Sequence, residues 1–349
     1  MLVLPKKLHE QIITRIKVLA SLRTDEHMAP QDGKMRISLV EEELDIRASI
    51  LPIVYGEKIV CRLLASRFRQ FSLVDLGMRD SDLKKVTNGF KKSFGMVLST
   101  GPTGSGKTTS IYSILKIINS REKNITTIED PVEYRMKGVN QIQANPKANL
   151  TFASGLRSIL RQDPNIIFVG EIRDSETASI AVNAALTGHL VLSTLHTNDA
   201  ATALPRLSDM GVEPFLIAST VNVIVAQRLL RKICEMCKSS IDIKRQDFLK
   251  NLPSEIVTKH FGEKENIRVY KGQGCPVCHH TGYAGRVGVF EVLDVTNNIR
   301  KLITQKADAD VILSQAIKDN DMTTMLDDGL IKVKQGTTTI EEVLRVTKV

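Results

Sequence analysis

A glycine-rich segment at residues 101–109 has the residue types and the spacing that bind the phosphates of a nucleotide. It reads GPTGSGKTT, follows an apolar strand pattern at residues 94–100 and precedes a helical pattern at residues 110–119. Glycines let backbone N–H groups turn toward phosphate oxygens, the lysine adds a point charge, and a hydroxyl reaches Mg²⁺. The order of strand, loop and helix argues against a chance match. The predicted nucleotide-binding residues are Gly101, Thr103, Gly104, Ser105, Gly106, Lys107, Thr108 and Thr109, of which Thr108 is also a magnesium ligand.

Three more apolar strand patterns end in residues that complete a site for phosphoryl transfer. They span residues 125–134, 163–174 and 187–197. Parallel strands in α/β sheets place ligands at their carboxyl ends, so these end residues are expected beside the glycine-rich segment. Glu171 is predicted to hold Mg²⁺ through its water shell, and either Glu133 or Glu171 is suited to orient the attacking water. His196 is predicted to hydrogen-bond the γ-phosphate.

These segments together resemble the secretion ATPases of type II secretion and type IV pilus assembly, a RecA-like P-loop superfamily. The family's Walker A, Asp, Walker B and His boxes correspond here to GPTGSGKTT, TIEDPVEY, IIFVGEIRD and TGHLVLSTLHTN, in the family order. The resemblance covers roughly residues 28–349. Gly170 stands where ordinary Walker B motifs have Asp, which is a variation of this family.

The resemblance implies ATP and Mg²⁺ as ligands and assigns roles to individual residues. Glu133 would orient or deprotonate the attacking water, Glu171 would act on Mg²⁺, and Glu129 is a secondary candidate. Arg47 and Arg62 match arginines that reach the γ-phosphate from the N-terminal domain. For each arginine, a surface salt bridge is the alternative.

Four of the five cysteines have the ligand spacing of a structural zinc site. Cys234 and Cys237 form one CxxC pair, and Cys275 and Cys278 form another after 37 intervening residues. Four thiolates close a tetrahedron about Zn²⁺, whereas disulfides or a redox pair are the alternatives. In the family this insert accompanies assembly motors and is absent from retraction motors. The fifth cysteine, Cys61, is predicted to be a small buried apolar residue.

Composition narrows the class of function. No apolar run approaches the roughly 18 residues of a membrane span, and the first 20 residues lack a signal-peptide pattern. A cytoplasmic protein is therefore expected. The net charge of +9 would suit a nucleic acid or an anionic membrane surface. We interpret it as nucleotide-facing arginines together with a membrane-proximal or subunit-facing surface, and a merely solvated basic surface is the alternative. Aromatic residues at 4%, with no Trp, argue against a base-stacking channel.

The chain is predicted to be an α/β protein of four segments. These are a small N-terminal α+β domain, expected to be partial, over residues 1–75, a RecA-like ATPase core over 76–232, a zinc-binding insert over 233–290 and a helical region over 291–349. In the N-terminal part, the pattern predicts an amphipathic helix over 8–22 with Lys17 on its solvent face, antiparallel strands over 34–64 and a linker over 68–77. Further along the chain, it predicts helices over 199–210, 214–232 and 296–318, and an irregular or briefly helical stretch over 241–267. Pro205 predicts a kink or a late start in its helix.

The resemblance also implies an assembly and its partners. They are a homo-hexamer, a polytopic inner-membrane platform protein and a peripheral position on the inner face of the plasma membrane, with no nucleic acid. Arg157 and Arg161 share one helix face and would contact a neighbouring subunit's nucleotide or only solvent. The first alternative is a RecA-like DNA translocase or helicase, and the second is a non-catalytic zinc-stabilised module. Family members usually have more N-terminal sequence, so a fragment or a short variant is expected.

Overall fold

The computed structural model describes residues 3–38, 43–65, 71–320 and 322–347. The chain divides into two compact units, Met1–Phe71 and Ser72–Val349. The predicted linker over 68–77 lies partly outside the described residues. The finer division into four segments stays a prediction. In the described part of the chain, no helix is both long and apolar enough to cross a membrane.

The first unit is a helix with a small antiparallel sheet. Its elements are α1 (His9–Leu19), β1 (Gln31–Ser38), β2 (Glu43–Ile53) and β3 (Gly56–Ala65), with strand order β1-β2-β3. The predicted antiparallel sheet is confirmed. The prediction for Lys17 is wrong, because its side chain is fully buried and its Nζ lies 2.8 Å from a carboxylate oxygen of Glu57, which compensates the buried charge. Cys61 on the edge strand β3 is exposed, so its predicted burial is also wrong.

The second unit is built on a mostly parallel sheet. Its strands are β4 (Gly95–Thr100), β5 (Ile125–Glu129), β6 (Asn140–Gln143), β7 (Ile166–Val169), β8 (Leu190–Leu195), β9 (Val221–Ile233), β10 (Lys238–Lys244), β11 (Asn266–Gly272) and β12 (Tyr283–Asp294). Among the described residues the main sheet has seven strands in the order β12-β9-β4-β8-β7-β5-β6. Every neighbouring pair is parallel except β12 with β9. The predicted α/β class is confirmed.

Helices cover both faces of this sheet. The helices of the second unit are α2 (Asp80–Phe90), α3 (Lys107–Ile118), α4 (Phe152–Ile159), α5 (Ser175–Leu186), α6 (Ala203–Asp209), α7 (Pro214–Thr220), α8 (Arg245–Leu249), α9 (Ser254–Phe261), α10 (Asn297–Thr304), α11 (Ala309–Asn320), α12 (Met325–Lys334) and α13 (Ile340–Thr347). Successive residues of β4 enter different cores, since Met96 and Leu98 belong to one apolar cluster and Val97 to another. The strands β4, β7 and β8 are buried at every residue, as their continuous apolar runs predict.

The predicted helix over residues 214–232 is wrong beyond Thr220. Helix α7 ends there and β9 begins at Val221, because the following run of β-branched residues fills a buried position between β4 and β12. Helix α6 begins late, at Ala203, which places Pro205 in its first turn as predicted. The helical prediction over 296–318 is confirmed as α10 and α11.

The predicted zinc-binding insert is more regular than its polar sequence indicates. Strands β10 and β11 form a two-stranded antiparallel ribbon, with α8 and α9 between them in the chain. A small apolar core that includes Phe248, Val257 and Ile267 holds these elements together. The chain then returns to the main sheet through β12, which spans the predicted boundary at residue 290.

Candidate nucleotide-binding site

The carboxyl ends of four parallel strands meet at one edge of the sheet, and each leads into a predicted site residue. Strand β4 runs directly into Gly101, β7 ends two residues before Glu171, and β8 ends one residue before His196. Strand β5 leads into the segment that carries Glu133. The structure therefore places the glycine-rich segment, the acidic residues and the histidine along one edge, which is where such sheets bind ligands.

The backbone of residues 101–109, called the P-loop below, requires glycine at defined positions. Gly101, Gly104 and Gly106 have φ angles of 143°, 80° and 92°. A Cβ atom at Gly101 would lie 2.5 Å from the carbonyl oxygen of Gln227, so the loop tolerates no side chain there. Helix α3 starts immediately after Gly106, at Lys107, and its N-terminus therefore faces the space enclosed by the loop.

Lys107 is held against the loop that precedes it. Its Nζ donates hydrogen bonds to the carbonyl oxygens of Gly101 at 2.7 Å and Pro102 at 3.1 Å. Burial lowers the pKa of Lys107 from its usual value, and the negative charge of Glu171 opposes that shift. The ammonium group is thus fixed at the phosphate-binding turn, close enough to Glu171 for the two charges to interact.

Glu171 forms an ion-pair cluster with the other polar residues of this edge. Its side chain is 12% exposed, and one carboxylate oxygen forms an ion pair with Arg173 Nε at 2.7 Å and a hydrogen bond with His196 Nε2 at 3.3 Å. Glycine at position 170 lets the segment before Glu171 lie close to the neighbouring strand, because a Cβ there would lie 3.3 Å from the Cα of Glu129. Glu171 of the predicted Walker B box and His196 of the predicted His box are therefore in direct contact.

The remaining P-loop residues differ in exposure. Thr103 is exposed, Thr108 and Thr109 are half-buried at the start of α3, and Ser105 is buried. The carbonyl oxygen of Ser105 accepts a 2.8 Å hydrogen bond from Gln227 Nε2, which clamps the loop from β9. Sequence analysis missed Gln227, since nothing in an apolar strand pattern links it to a loop 122 residues away.

Glu133 is half-buried, and its backbone N–H donates to the hydroxyl of Tyr112 at 3.4 Å. The secondary candidate Glu129 has a different environment. It is 2% exposed, and burial raises its pKa although Thr127, Tyr112 and Gln141 donate hydrogen bonds to it. Glu129 is therefore enclosed within the fold, whereas Glu133 lies beyond the end of β5.

The predicted arginines occupy three places. Arg47 on β2 and Arg62 on β3 are directly opposite each other in the first unit's sheet, so their side chains leave the same face. Like charges at such a pair disfavour folding unless an anion or another partner compensates them. On α4, Arg157 pairs with Glu176. Helix α4 ends at Ile159, so the prediction that Arg161 lies on the same helix face is wrong; Arg161 lies beyond the helix end and donates to the carbonyl oxygen of Arg157 at 3.0 Å.

The four predicted zinc ligands converge on one point. Their sulfur atoms lie within 4.8 Å of one another, with Sγ–Sγ distances of 3.8 Å for Cys234 and Cys275, 3.9 Å for Cys237 and Cys278, and 3.7 Å for Cys275 and Cys278. A tetrahedral site with Zn–S bonds of about 2.3 Å has S–S edges of about 3.8 Å. The cluster therefore has the dimensions of a tetrathiolate metal site.

Backbone groups around the cluster favour ionised sulfur. The N–H groups of Cys275 and Gly282 donate to Cys278 Sγ at 3.1 and 3.3 Å, and that of Gly274 donates to Cys237 Sγ at 3.3 Å. Burial opposes ionisation of Cys278, but the N–H groups of Cys275 and Gly282 and the neighbouring thiols outweigh it and lower the pKa of its thiol to about 6. For Cys237, burial and the neighbouring thiols outweigh the N–H of Gly274 and raise the pKa to about 11. Thiolates are the form that binds metal, so the donor set fits a zinc ion.

The chain is similar to proteins of secretion and pilus systems. Residues 2–345 match the family model described as "Type II/IV secretion system protein". "Type II secretion system ATPase E" of Vibrio cholerae serotype O1 is 44% identical over 346 residues, which cover 98% of this chain and 66% of that protein. "Type IV pilus assembly ATPase PilB" of Thermus thermophilus is 46% identical over 348 residues, which cover 99% of this chain and 38% of that protein.

A solved structure shares the architecture. The crystal structure of the pilus retraction motor PilT with bound ADP aligns with a TM-score of 0.65 and 26% identity, over 99% of this chain and 82% of that chain. The likeness confirms the predicted RecA-like fold class. This chain spans about two thirds of the length of the Vibrio relative, or 66%.

Proposed function

Because the chain belongs to the type II/IV secretion system protein family, we propose that it is a Mg²⁺-dependent ATPase motor. Its ATP hydrolysis would drive assembly of a type II secretion pseudopilus or a type IV pilus. The observation that best supports this proposal is the contact between residues of the predicted Walker B and His boxes at the edge of the sheet. Glu171 touches His196, and Lys107 lies within electrostatic range of Glu171.

Each residue at this edge has a separate task in hydrolysis. Lys107 neutralises charge on the β- and γ-phosphates, which is the main requirement of phosphoryl transfer. Thr108 and Glu171 hold Mg²⁺, Glu171 through water, and the ion supplies further charge neutralisation. Glu133 orients or deprotonates the attacking water, and His196 hydrogen-bonds the γ-phosphate. Glu133 suits the task better than Glu129, which is enclosed by three hydrogen-bond donors.

Arg47 and Arg62 supply further positive charge as arginine fingers. A guanidinium remains charged and forks onto phosphate oxygens, so two of them side by side on β2 and β3 form a surface suited to a phosphate. Delivery of these arginines from the N-terminal unit would couple ATP hydrolysis to domain closure. Replacing Arg62 by Lys should rescue turnover poorly, because a point charge does not reproduce the fork.

The tetracysteine cluster holds one structural Zn²⁺. The sulfur spacing and the N–H donors support this assignment, and metal binding of this kind contributes about 10 kcal/mol or more to folding. Such an insert favours an assembly motor over a retraction motor. We further propose that the protein acts as a hexamer on the cytoplasmic face of the inner membrane and moves a polytopic platform protein.

Phosphate release from purified protein tests the enzymatic proposal. Wild-type protein should release phosphate from ATP only with Mg²⁺, with no stimulation by single- or double-stranded DNA. Glu133→Gln should bind ATP normally and lose turnover by roughly 10²- to 10⁴-fold, the range of a general base. Stimulation by DNA would favour a translocase, and absence of turnover would favour a non-catalytic module. Equal loss of ATP binding in Glu133→Gln would make Glu133 a structural residue.

A further inference from the structure

A buried polar cluster lies between helix α3 and the segment that carries Glu133. It comprises Tyr112 of α3, Thr127 and Glu129 of β5, and Gln141 of β6. Tyr112 is fully buried and Glu129 is 2% exposed. A buried carboxylate is costly unless donors satisfy it, so its partners are fixed in place by the carboxylate they satisfy.

The carboxylate of Glu129 is the centre of this cluster. One oxygen accepts from Thr127 Oγ1 at 2.6 Å and from Gln141 Nε2 at 3.2 Å, and the other accepts from the Tyr112 hydroxyl. Both carboxylate oxygens of Glu129 are engaged, and these hydrogen bonds constrain the rotamers of Tyr112 and Gln141. Their remaining hydrogen-bonding groups then face the segment after β5.

Tyr112 and Gln141 use these remaining groups to bind the backbone on both sides of Glu133. The Tyr112 hydroxyl accepts from the N–H of Glu133 at 3.4 Å. Gln141 Nε2 donates to the carbonyl oxygen of Tyr134 at 3.2 Å, and Gln141 Oε1 accepts from the N–H of Met136 at 2.7 Å. Three backbone groups within four residues are therefore hydrogen-bonded to the buried side chain of Tyr112 and the half-buried side chain of Gln141.

Ring packing connects the same cluster to the P-loop helix. The Tyr112 ring packs edge-on against Tyr134, with centroids 4.7 Å apart, and against Phe168 of β7 at 6.2 Å. Tyr112 lies five residues after Lys107 on α3. The helix that carries the phosphate-binding lysine and the segment that carries Glu133 therefore share one buried contact.

We propose that Tyr112, Glu129 and Gln141 are positioning residues that fix Glu133 relative to the P-loop. The inference rests on the proposed role of Glu133 in orienting water. A general base must lie within hydrogen-bond reach of the water, and a displacement of about 1 Å costs up to roughly a hundredfold in rate. Glu129 acts here as an anchor and does not contact the reacting atoms.

Tyr112→Phe tests the proposal, because it keeps the ring packing and removes the hydroxyl. We expect kcat to fall by about ten- to a hundredfold while KM and ATP affinity stay unchanged. Tyr283→Phe is the matched control, since it removes a tyrosine hydroxyl bonded to Thr339 Oγ1 at 2.9 Å, remote in the fold from Glu133. That variant should retain wild-type kcat. Wild-type kcat in Tyr112→Phe would overturn the proposal.

A double variant separates positioning from general destabilisation. In a Glu133→Gln background, Tyr112→Phe should lower the residual turnover no further, because its effect passes through the Glu133 carboxylate. A further fall equal to that seen in the wild-type background would reject positioning. If Tyr112→Phe does not fold, Gln141→Leu offers the same comparison with Tyr112 and Glu129 intact. Full turnover in Glu133→Gln alone would reject the proposed role of Glu133, and the positioning inference with it.

Discussion

The P-loop and the cysteine cluster are both compact polar sites, but they differ in what holds their reactive groups in place. In the P-loop, the fold does so, since Lys107 binds two loop carbonyls and Gln227 clamps the loop from β9. The cluster instead places four sulfurs within 4.8 Å of one another, where thiols offer only weak hydrogen bonds. The first site is thus supported by the fold, whereas we expect the second to depend on the zinc ion proposed for it.

Lys107→Ala is the strongest test of this contrast on the P-loop side. Removing the ammonium group should reduce ATP turnover to background, because Lys107 is the cationic side chain that binds the turn of the loop among the described residues. The fold should survive, since Gln227 still clamps Ser105. The measurements are phosphate release and circular dichroism. A variant that loses its secondary structure would show that the P-loop, too, depends on its charged group for folding.

Cys275→Ser should have the opposite profile. A three-thiolate site binds zinc more weakly, so the variant should lose its one zinc per chain and unfold well below the wild-type temperature. ATP binding should persist in part, because the P-loop is formed by other elements. Metal analysis and thermal unfolding measure both effects.

Cys61→Ser is the matched control for the cysteine prediction. Cys61 is exposed on β3 and lies outside the tetracysteine group. Its replacement should leave zinc content and thermal stability unchanged. Wild-type protein without zinc, and with four freely titratable thiols, would reject the metal site altogether.

Two glycine substitutions test the claim that the backbone conformation of the P-loop requires glycine. Gly101→Ala should destabilise the protein by about 3 kcal/mol, because its Cβ would meet Gln227 and its φ is 143°. Gly104→Ala also has positive φ, but no atom lies within 4 Å of its Cβ, so only backbone strain of about 1 kcal/mol is expected. Urea unfolding without nucleotide separates the two. Equal costs would mean that the loop moves to accommodate either side chain.

The sequence was informative wherever function and fold depend on neighbouring residues in the chain. Strand β4, the P-loop and helix α3 follow one another directly, so their types and order were predictable from glycine spacing and apolar runs. The cysteine pairs were predictable for a similar reason, because each CxxC pair is local. The placement of Glu171 and His196 at one edge of the sheet followed from the rule that parallel strands align their carboxyl ends, whereas the contact between the two side chains was not predicted.

The sequence was less informative where tertiary contacts decide. The run from Val221 has no alternation that separates a buried strand from a helix, and only its place between β4 and β12 makes it β9. Gln227, Tyr112 and Gln141 contact residues far along the chain, and no spacing rule links them. Lys17 was assigned to solvent, because its buried partner Glu57 is 40 residues away.

The smallest predicted effect concerns the strand that leads into the cysteine cluster. Glu342 of α13 is buried and binds both the backbone N–H and the guanidinium of Arg231 on β9, three residues before Cys234, as well as Arg345. Burial alone would raise the pKa of Glu342. The hydrogen bonds from Arg345 and Arg231 outweigh burial and lower that pKa from its usual 4.5 to about 2.

Glu342→Gln should lower the free energy of unfolding by about 2 kcal/mol at pH 7, the scale of hydrogen bonds to a charged group. Because the pKa is depressed in the folded state, the contribution of the carboxylate is complete above pH 4.5 and declines as pH falls toward 2. The difference between variant and wild type should therefore shrink below pH 4.5. Glu341→Gln, which removes the neighbouring exposed carboxylate, should have little effect at either pH. Zinc content should stay at one per chain in both variants, because the metal binds the sulfurs directly; loss of zinc in Glu342→Gln would show that the cluster, like the P-loop, relies on the surrounding fold.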